Sequence, residues 1–533
     1  MGERDRPPVV YWLLPTIVVV LRGLPFLYAL SLESAPGTAV LQVGYLPKDF
    51  LTYLAFARQA ADDASLLFYD PFTTEPHSPR FILPFFWLLG RLSAWTGAPP
   101  TLLLELVRAP LVFLFFGVVW WFLRPILPET RTRLLAATLI GFSGGIEGWV
   151  RPFADALPAP VAVEVLGSTA HLFGWSTFAA MFNPVWVAGL TLTLVALRPL
   201  LRPHGPADGR ELLLVGGAFF AGFWVHPYSA IVVVAVATTY VVLGWIFERR
   251  IDRGRLGGLV ALLPSLALVA TVSGWQTQDP IYVAASSNAL GPNDLAIFWW
   301  PITIGALLVF ALRGAQAWVA AEHPYRLPMF AWVMAIVLLH SSPVLNGYHF
   351  VFQLHLPLAI VGAVGLREAW LAWNTDRLPA RVVTAALVLA LAPSAFFVTR
   401  DSIEDVEREN RMPASYGEVV STLSGLPAGN ALVPAPLGNV LPAFTPHRVW
   451  VGHWFLTPDA LARGRRYQEL VDGPADPAAL RRLIDGQSIR YAVLPAERGD
   501  RWSEILADRV VGRRGHGELE LLVLAPPRVA TAP

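Results

Sequence analysis

The sequence predicts a polytopic α-helical membrane protein that ends in a small α/β domain, and three observations carry that prediction. Of 533 residues, 55% are hydrophobic, 20 are Trp and only 15% are charged, and apolar blocks recur nearly end to end, which is a membrane composition. Arginines gather in alternate gaps between those blocks, the pattern that loops on one side of a bilayer produce. Near Arg400 the character changes: charge, Pro and Gly rise, and short apolar runs such as "ALVPAP", "RVWVGHW" and "YAVLP" alternate with helical stretches.

The first element, "VVYWLLPTIVVVLRGLPFLYAL" from Val9 to Leu30, is too long for a signal-peptide core and lacks a clean small-residue cleavage site after it, so it reads as a retained span. Arginines then cluster at Arg124, Arg131 and Arg133; at Arg198, Arg202 and Arg210; at Arg249, Arg250, Arg253 and Arg255; at Arg313 and Arg326; and at Arg367, Arg377 and Arg381. By the positive-inside rule these loops are cytoplasmic, and the poorly basic turns between them, such as "WVHPYS" and "HSSPVLNGYH", face outward. The block Phe81 to Trp95 is short and broken by Pro84, Gly90 and Arg91; counted as a span, it would put every later arginine cluster outside. It is expected to form a juxtamembrane or re-entrant helix on the outer side. That leaves about eleven spans in residues 1–400, with a cytoplasmic N-terminus and a long first outer loop over 31–100. Residues 401–533 form an extracytoplasmic α/β domain of a plasma-membrane protein.

Several classes are excluded. The chain has no cysteine, hence no disulfide, thiolate metal site or cysteine nucleophile. A net charge of +1, with no basic patch interleaved with aromatics, argues against nucleic acid. No HExxH, DxD or phosphate-cradling glycine loop occurs.

The stretch "GYLPKDFLTYLAFARQA" lies in the first outer loop. At about 100° per residue, Phe50, Leu54, Ala57 and Ala61 form one stripe, while Asp49, Thr52, Gln59 and Asp63 fall on the other side and Tyr53 lies at the boundary. This predicts an interfacial helix, with Asp49 and Tyr53 one turn apart and Arg58 placed to reach lipid phosphate. Asp49 reads either as the helix N-cap or as a functional carboxylate.

The run Asp49, Tyr53, Arg58, the block "PFTTEPHSPRFILPFFWLLG" and Arg108 in "ELVRAP" resemble the first outer loop and following span of GT-C membrane glycosyltransferases. The nearest branch holds protein O-mannosyltransferases, bacterial aminoarabinose transferases and RgtA/B/C/D-like proteins. The resemblance is best over about residues 40–125 and implies a polyprenyl-phosphate sugar donor, hexosyl or pentosyl transfer to a glycan, lipid or protein acceptor, and an active-site acid at Asp49. Many relatives place a second carboxylate where Phe50 stands, and a lysine before a Pro-Pro pair where this chain has "EPHSPRF", so that His77 or Arg80 takes that place. Transfer from a lipid phosphate needs a base for the acceptor hydroxyl and cations for the departing phosphate. Asp49 is the candidate base; Lys48, Arg58, His77 and Arg80 are candidates for the phosphate, Arg80 foremost because a guanidinium binds phosphate bidentately.

Other outward residues extend the candidate site. Asp155 is placed to supply the second carboxylate, and a divalent cation bridging Asp49 and Asp155 fits only a diphosphate donor. His226 precedes Pro227 at a helix end, where a capping or aromatic-packed histidine is the plainer reading. Tyr348, His349, Gln353 and His355 enter a span together and are expected to line a cavity for the donor headgroup, His349 and Gln353 sharing one helix face. In "VWVGHWFLTPD", a strand-to-helix turn capped by Thr457 is expected, with an acceptor-docking surface as the sharper reading. The competing class is a transporter or flippase for a glycolipid or small polar solute. Against it stand the absence of an internal repeat and the gathering of acidic residues at the outer mouth.

Overall fold

The computed structural model describes residues 6–33, 36–41, 43, 47–145, 156, 176–206, 208–287, 300, 304–343, 345, 348–373, 377–391, 394–472 and 476–526. Five described helices are long and apolar enough to cross a bilayer: Val9–Ser31, Pro100–Leu123, Pro227–Glu248, Arg253–Gln276 and Leu378–Asn410. Three shorter apolar helices accompany them, Pro184–Leu200, Ala306–Ala320 and Arg326–His340. The chain is a multi-pass membrane protein, and part of the apolar sequence counted toward the expected spans lies outside the described residues. It divides into two compact units, Met1–Leu24, Leu106–Val272 and Leu290–Ser402 in the first, and Pro25–Glu105, Ser273–Ala289 and Ile403–Pro533 in the second.

The first unit is helical. Its helices begin where a short polar side chain meets an apolar run: Asn183 accepts from the Val185 N–H, Asp208 from Glu211 and Asp252 from Arg255, each at 3.0 Å. Tyr11, Phe115, Phe116, Phe122, Tyr240 and Trp332 are fully buried in one continuous core. The arginine clusters are stitched together at one end. Arg198 donates to the Trp121 carbonyl at 3.1 Å, Arg202 pairs with Glu211 at 2.7 Å, Arg255 bonds Glu248 and the Pro203 carbonyl at 2.9 Å, and Arg367 pairs with Glu129 at 2.7 Å. His226 starts the helix Pro227–Glu248 that ends beside Arg249; at about 1.5 Å per residue that helix is roughly 33 Å long, enough to cross the hydrocarbon layer. The basic loops thus share one end and the His226 turn lies at the other, the separation that the alternation in the sequence requires.

The second unit is built around the helix Pro47–Asp62, which packs between the helices Pro84–Thr96 and Ala435–Phe444. The approach to Pro84–Thr96 is close: a Cβ on Gly90 would stand 2.1 Å from the Ala57 carbonyl oxygen. Because two helices flank it, Phe50, Leu51, Leu54, Ala55, Phe56, Ala57 and Ala60 are all buried, and so is Thr52. This corrects the expectation of an interfacial helix with one apolar stripe and Thr52 on a polar face. Pro84–Thr96 has 13 residues, about 20 Å, too short to cross about 30 Å of hydrocarbon.

A five-stranded sheet completes this unit, in the spatial order Arg448–Val449, Asn430–Leu432, Ile489–Pro495, Leu519–Leu524 and Val510–His516. The first three strands are parallel and the last two join antiparallel. Trp450, Val451, Tyr467, Ile489, Trp502 and Leu522 are buried among the helices on it. The strand Thr38–Val40 pairs with Arg411–Pro413. Residues 70–75 run along the sheet edge: the Val449 N–H donates to the Pro71 carbonyl at 3.0 Å, Arg448 donates to the Thr74 carbonyl at 2.9 Å, and Arg463 pairs with Glu75 at 2.5 Å.

Candidate active site

Asp49 is the third residue of its helix, which begins at Pro47, so it is a first-turn carboxylate favoured by the helix dipole and not the N-cap. Its side chain is 31% exposed and its Oδ1 lies 3.8 Å from Nε2 of His453, whose side chain is 6% exposed. His453 follows the sheet strand in the turn that leads to the helix Ala460–Asp472. Its Nδ1 accepts from the backbone N–H groups of Phe455 and Leu456, both at 3.3 Å. The imidazole itself therefore caps this turn. Thr457, expected as the cap, instead bridges two backbone groups, its hydroxyl accepting from the Gly452 N–H at 3.1 Å and donating to the Phe72 carbonyl at 3.0 Å. Gly452 is required there, because a Cβ would meet the Gly438 carbonyl at 2.5 Å.

The other expected residues of this unit fall in distinct places. Tyr53, one turn on from Asp49, stacks on Phe86 with ring centroids 4.6 Å apart. Arg58 is nine residues from Asp49, half a turn out of phase at about 100° per residue, and so faces away from it. It pairs with Asp62 and donates to the Pro442 carbonyl at 3.0 Å, rather than reaching outward. Its guanidinium borders a groove of about 440 Å³ lined also by Tyr69, His447 and Arg448. His77 is used at both nitrogens: Nδ1–H donates to the Glu75 carbonyl at 2.8 Å and Nε2 accepts from the Asp70 N–H at 2.9 Å. Burial holds its pKa below the usual histidine value, in keeping with a neutral ring that clips a loop. Arg80 donates to the Trp275 carbonyl at 2.6 Å and lies over the Trp275 ring, 4.4 Å from its centroid. The same strap is tied by Asp279, which accepts from the Ser78 N–H at 3.0 Å. Burial raises the Asp279 carboxyl, but the N–H groups of Ser78, Ile281 and Tyr282 outweigh it and hold it below the ordinary range.

In the first unit, His226, His349 and Gln353 come together at the start of the helix Pro227–Glu248. His226 packs against Trp186, Tyr228 and Phe352, and its Nδ1 lies 2.8 Å from the Ser229 hydroxyl. Gln353 donates to that same hydroxyl at 3.1 Å, and His349 stacks on Tyr228 at 4.0 Å. His349 and Gln353 do not share one continuous helix, since the helix Tyr348–Val351 stops before Gln353 and the next begins at His355. They converge instead through the adjacent Tyr228 and Ser229. His355 is fully buried, with Nδ1 accepting from the Thr177 N–H at 3.2 Å and Nε2 lying 2.9 Å from the Ser143 hydroxyl. Tyr348 opens its short helix, and Asp155 lies outside the described residues.

Asp70 and the Glu75–Arg463 pair were not singled out from the sequence. Asp70 is fully buried, its Oδ1 accepting from the Phe72 N–H at 2.8 Å, and burial pushes its pKa up to about 7. An aspartate followed by Pro-Phe is a signal for such a turn. Among the described residues no three His, Asp or Glu side chains converge to hold a metal ion, so these residues do not by themselves fit a divalent cation.

No protein-family profile and no curated protein matches the sequence. Solved structures do match the fold, and those neighbours are GT-C membrane glycosyltransferases, which makes the fold of this chain a GT-C fold. One is the apo oligosaccharyltransferase of Archaeoglobus fulgidus, at a TM-score of 0.54 and 10% identity over 93% of this chain and 71% of that one. Another is ArnT from Cupriavidus metallidurans in the apo state, at 0.52 and 15% over 96% and 97%. The same enzyme bound to undecaprenyl phosphate matches at 0.50 and 16% over 97% and 98%.

Proposed function

We propose that this protein is an integral-membrane glycosyltransferase that moves a hexosyl or pentosyl unit from a polyprenyl-phosphate donor to an acceptor hydroxyl, with Asp49 as the general base. The observation that carries the reading is a partly open carboxylate, held in the first turn of the helix after the first span, in a chain with the GT-C fold. A structure of like fold holds undecaprenyl phosphate, which supports a lipid-phosphate donor. The chemistry takes place on the extracytoplasmic face, with the N-terminus cytoplasmic, about eleven crossings, and residues 401–533 as the extracytoplasmic α/β domain.

In the transfer, Asp49 takes the proton of the acceptor hydroxyl as its oxygen bonds to the anomeric carbon. The bond from that carbon to the phosphate oxygen breaks, and polyprenyl phosphate leaves with the electron pair. A placed base of this kind contributes roughly 10²- to 10⁴-fold. Arg80 is the cation proposed for the phosphate, because a guanidinium binds phosphate bidentately; Arg58 is paired with Asp62 and His77 is spent on two backbone groups, and the Lys48 side chain lies outside the described residues. Tyr53, one turn on from Asp49, lines the face that Asp49 occupies. Purified protein in proteoliposomes, given polyprenyl-phosphate sugars labelled in the sugar together with a glycan and glycolipid extract, tests this. The expected outcome is free polyprenyl phosphate and label on an acceptor. A transporter or flippase would move label across the bilayer with the glycosidic bond intact, and that result overturns the reading.

A further inference from the structure

The strand-to-helix turn at Gly452, His453 and Trp454 takes no part in the proton and phosphate transfers above. Its histidine is nonetheless placed as a functional group would be. Both backbone N–H groups that reach Nδ1 require the lone pair there, so the ring proton sits on Nε2. That N–H is buried, and among the described residues no acceptor lies within hydrogen-bonding distance of it. A buried donor left unpaired is costly. The polar group it faces is Oδ1 of Asp49, 3.8 Å away on a side chain that is still 31% exposed. The imidazole is held in place on several sides: Phe72 packs against it at 5.5 Å, and Phe72 is in turn fastened by Thr457 and by the Asp70 turn.

We propose that His453 is the positioning residue of the Asp49 base; this rests on the reading of Asp49 as that base. In the open site, water satisfies the partly exposed carboxylate. When donor and acceptor exclude that water, a shift of roughly 1 Å brings Oδ1 onto the Nε2–H at charge-assisted hydrogen-bond length. One oxygen is then fixed and Oδ2 is presented to the acceptor hydroxyl. His453 does not exchange the reacting proton, because its only lone pair is taken by the turn. Its contribution is orientation of the carboxylate through one fixed hydrogen bond.

Two substitutions separate this role from a structural one. His453→Asn keeps an acceptor where Nδ1 stands and so keeps the turn, but removes the donor to Asp49; His453→Gln places an N–H near the Nε2 position. Expected are a melting temperature near wild type for His453→Asn, a kcat lowered roughly tenfold to a hundredfold, as for loss of a hydrogen bond to a charged group, and little change in donor KM. His453→Gln recovers most of the rate. A wild-type kcat for His453→Asn overturns the proposal, as does an equal loss of rate per folded molecule in both variants, His453→Gln being expected to melt lower because it gives up the acceptor for Phe455 and Leu456. Asp49→Asn in the same assay keeps the two readings apart: if it is inactive while His453→Asn is unimpaired, the base assignment stands and the positioning role falls. If Asp49→Asn is active, both fall.

Discussion

Asp70 is buried in the turn that presents Phe72, and burial pushes its carboxyl up to about 7 against the Phe72 N–H and the nearby Arg448 and Arg463. Between the ordinary carboxylate range and about 7 the folded chain therefore holds a proton that the unfolded chain has lost. Stability from this group is fully present below the unfolded pKa and is lost as pH rises through the folded one, by roughly 4 kcal/mol for a shift of this size. Asp70→Asn, which keeps the acceptor for Phe72, is expected to flatten that dependence: between about pH 5 and about pH 8 the wild-type melting temperature in detergent falls more than that of the variant. Equal slopes would contradict it. Residue-level legibility was uneven. Asp49 stood out because a carboxylate beside an apolar span is conspicuous, whereas its facing of His453 joins positions far apart in the chain and no local pattern announces it. His77 and Arg80 were legible as charged or polar types, but their partners were not, since the carbonyls of Glu75 and Trp275 that hold them are set by loop geometry.

Helix and strand boundaries follow from simple rules in many places. Pro at the first turn and Asn or Asp just before it mark where Pro184–Leu200 and Pro477–Gly486 begin. The Pro47–Asp62 helix was legible as a helix, but its environment was not, because hydropathy cannot tell an apolar face against lipid from one against another helix. The glycine in "FFWLLGRLSAW" was the available sign, since it marks a position where another backbone comes near. Gly90→Val drives a side chain into the Ala57 carbonyl and is expected to cost about 3 kcal/mol, the upper end for overpacking. It should lower the melting temperature and, by displacing the helix that carries Asp49, the transfer rate. A variant that melts and turns over as wild type would show that the two helices part without consequence.

At the scale of the whole molecule, composition and the arginine pattern were enough to indicate a multi-pass chain, and the basic loops of the first unit do converge at one end through Arg198, Arg202, Arg255 and Arg367. Which end faces the cytoplasm is open to a direct test, because the chain has no cysteine. Leu461→Cys and Arg250→Cys each introduce a single thiol at a solvent-exposed position. In intact cells an impermeant maleimide is expected to label the first and not the second, and the reverse pattern would invert the topology. The joining of residues 403–533 with 25–105 in one compact unit was not legible, because the ties between them, such as Arg463 to Glu75, are long-range. The central claim is that Asp49 is the base of a lipid-phosphate glycosyl transfer, and the direct measurement is the transfer rate of Asp49→Asn in proteoliposomes beside wild type at matched insertion and melting temperature. The account predicts a loss of roughly 10²- to 10⁴-fold in kcat; an unchanged rate in a correctly folded protein would contradict it.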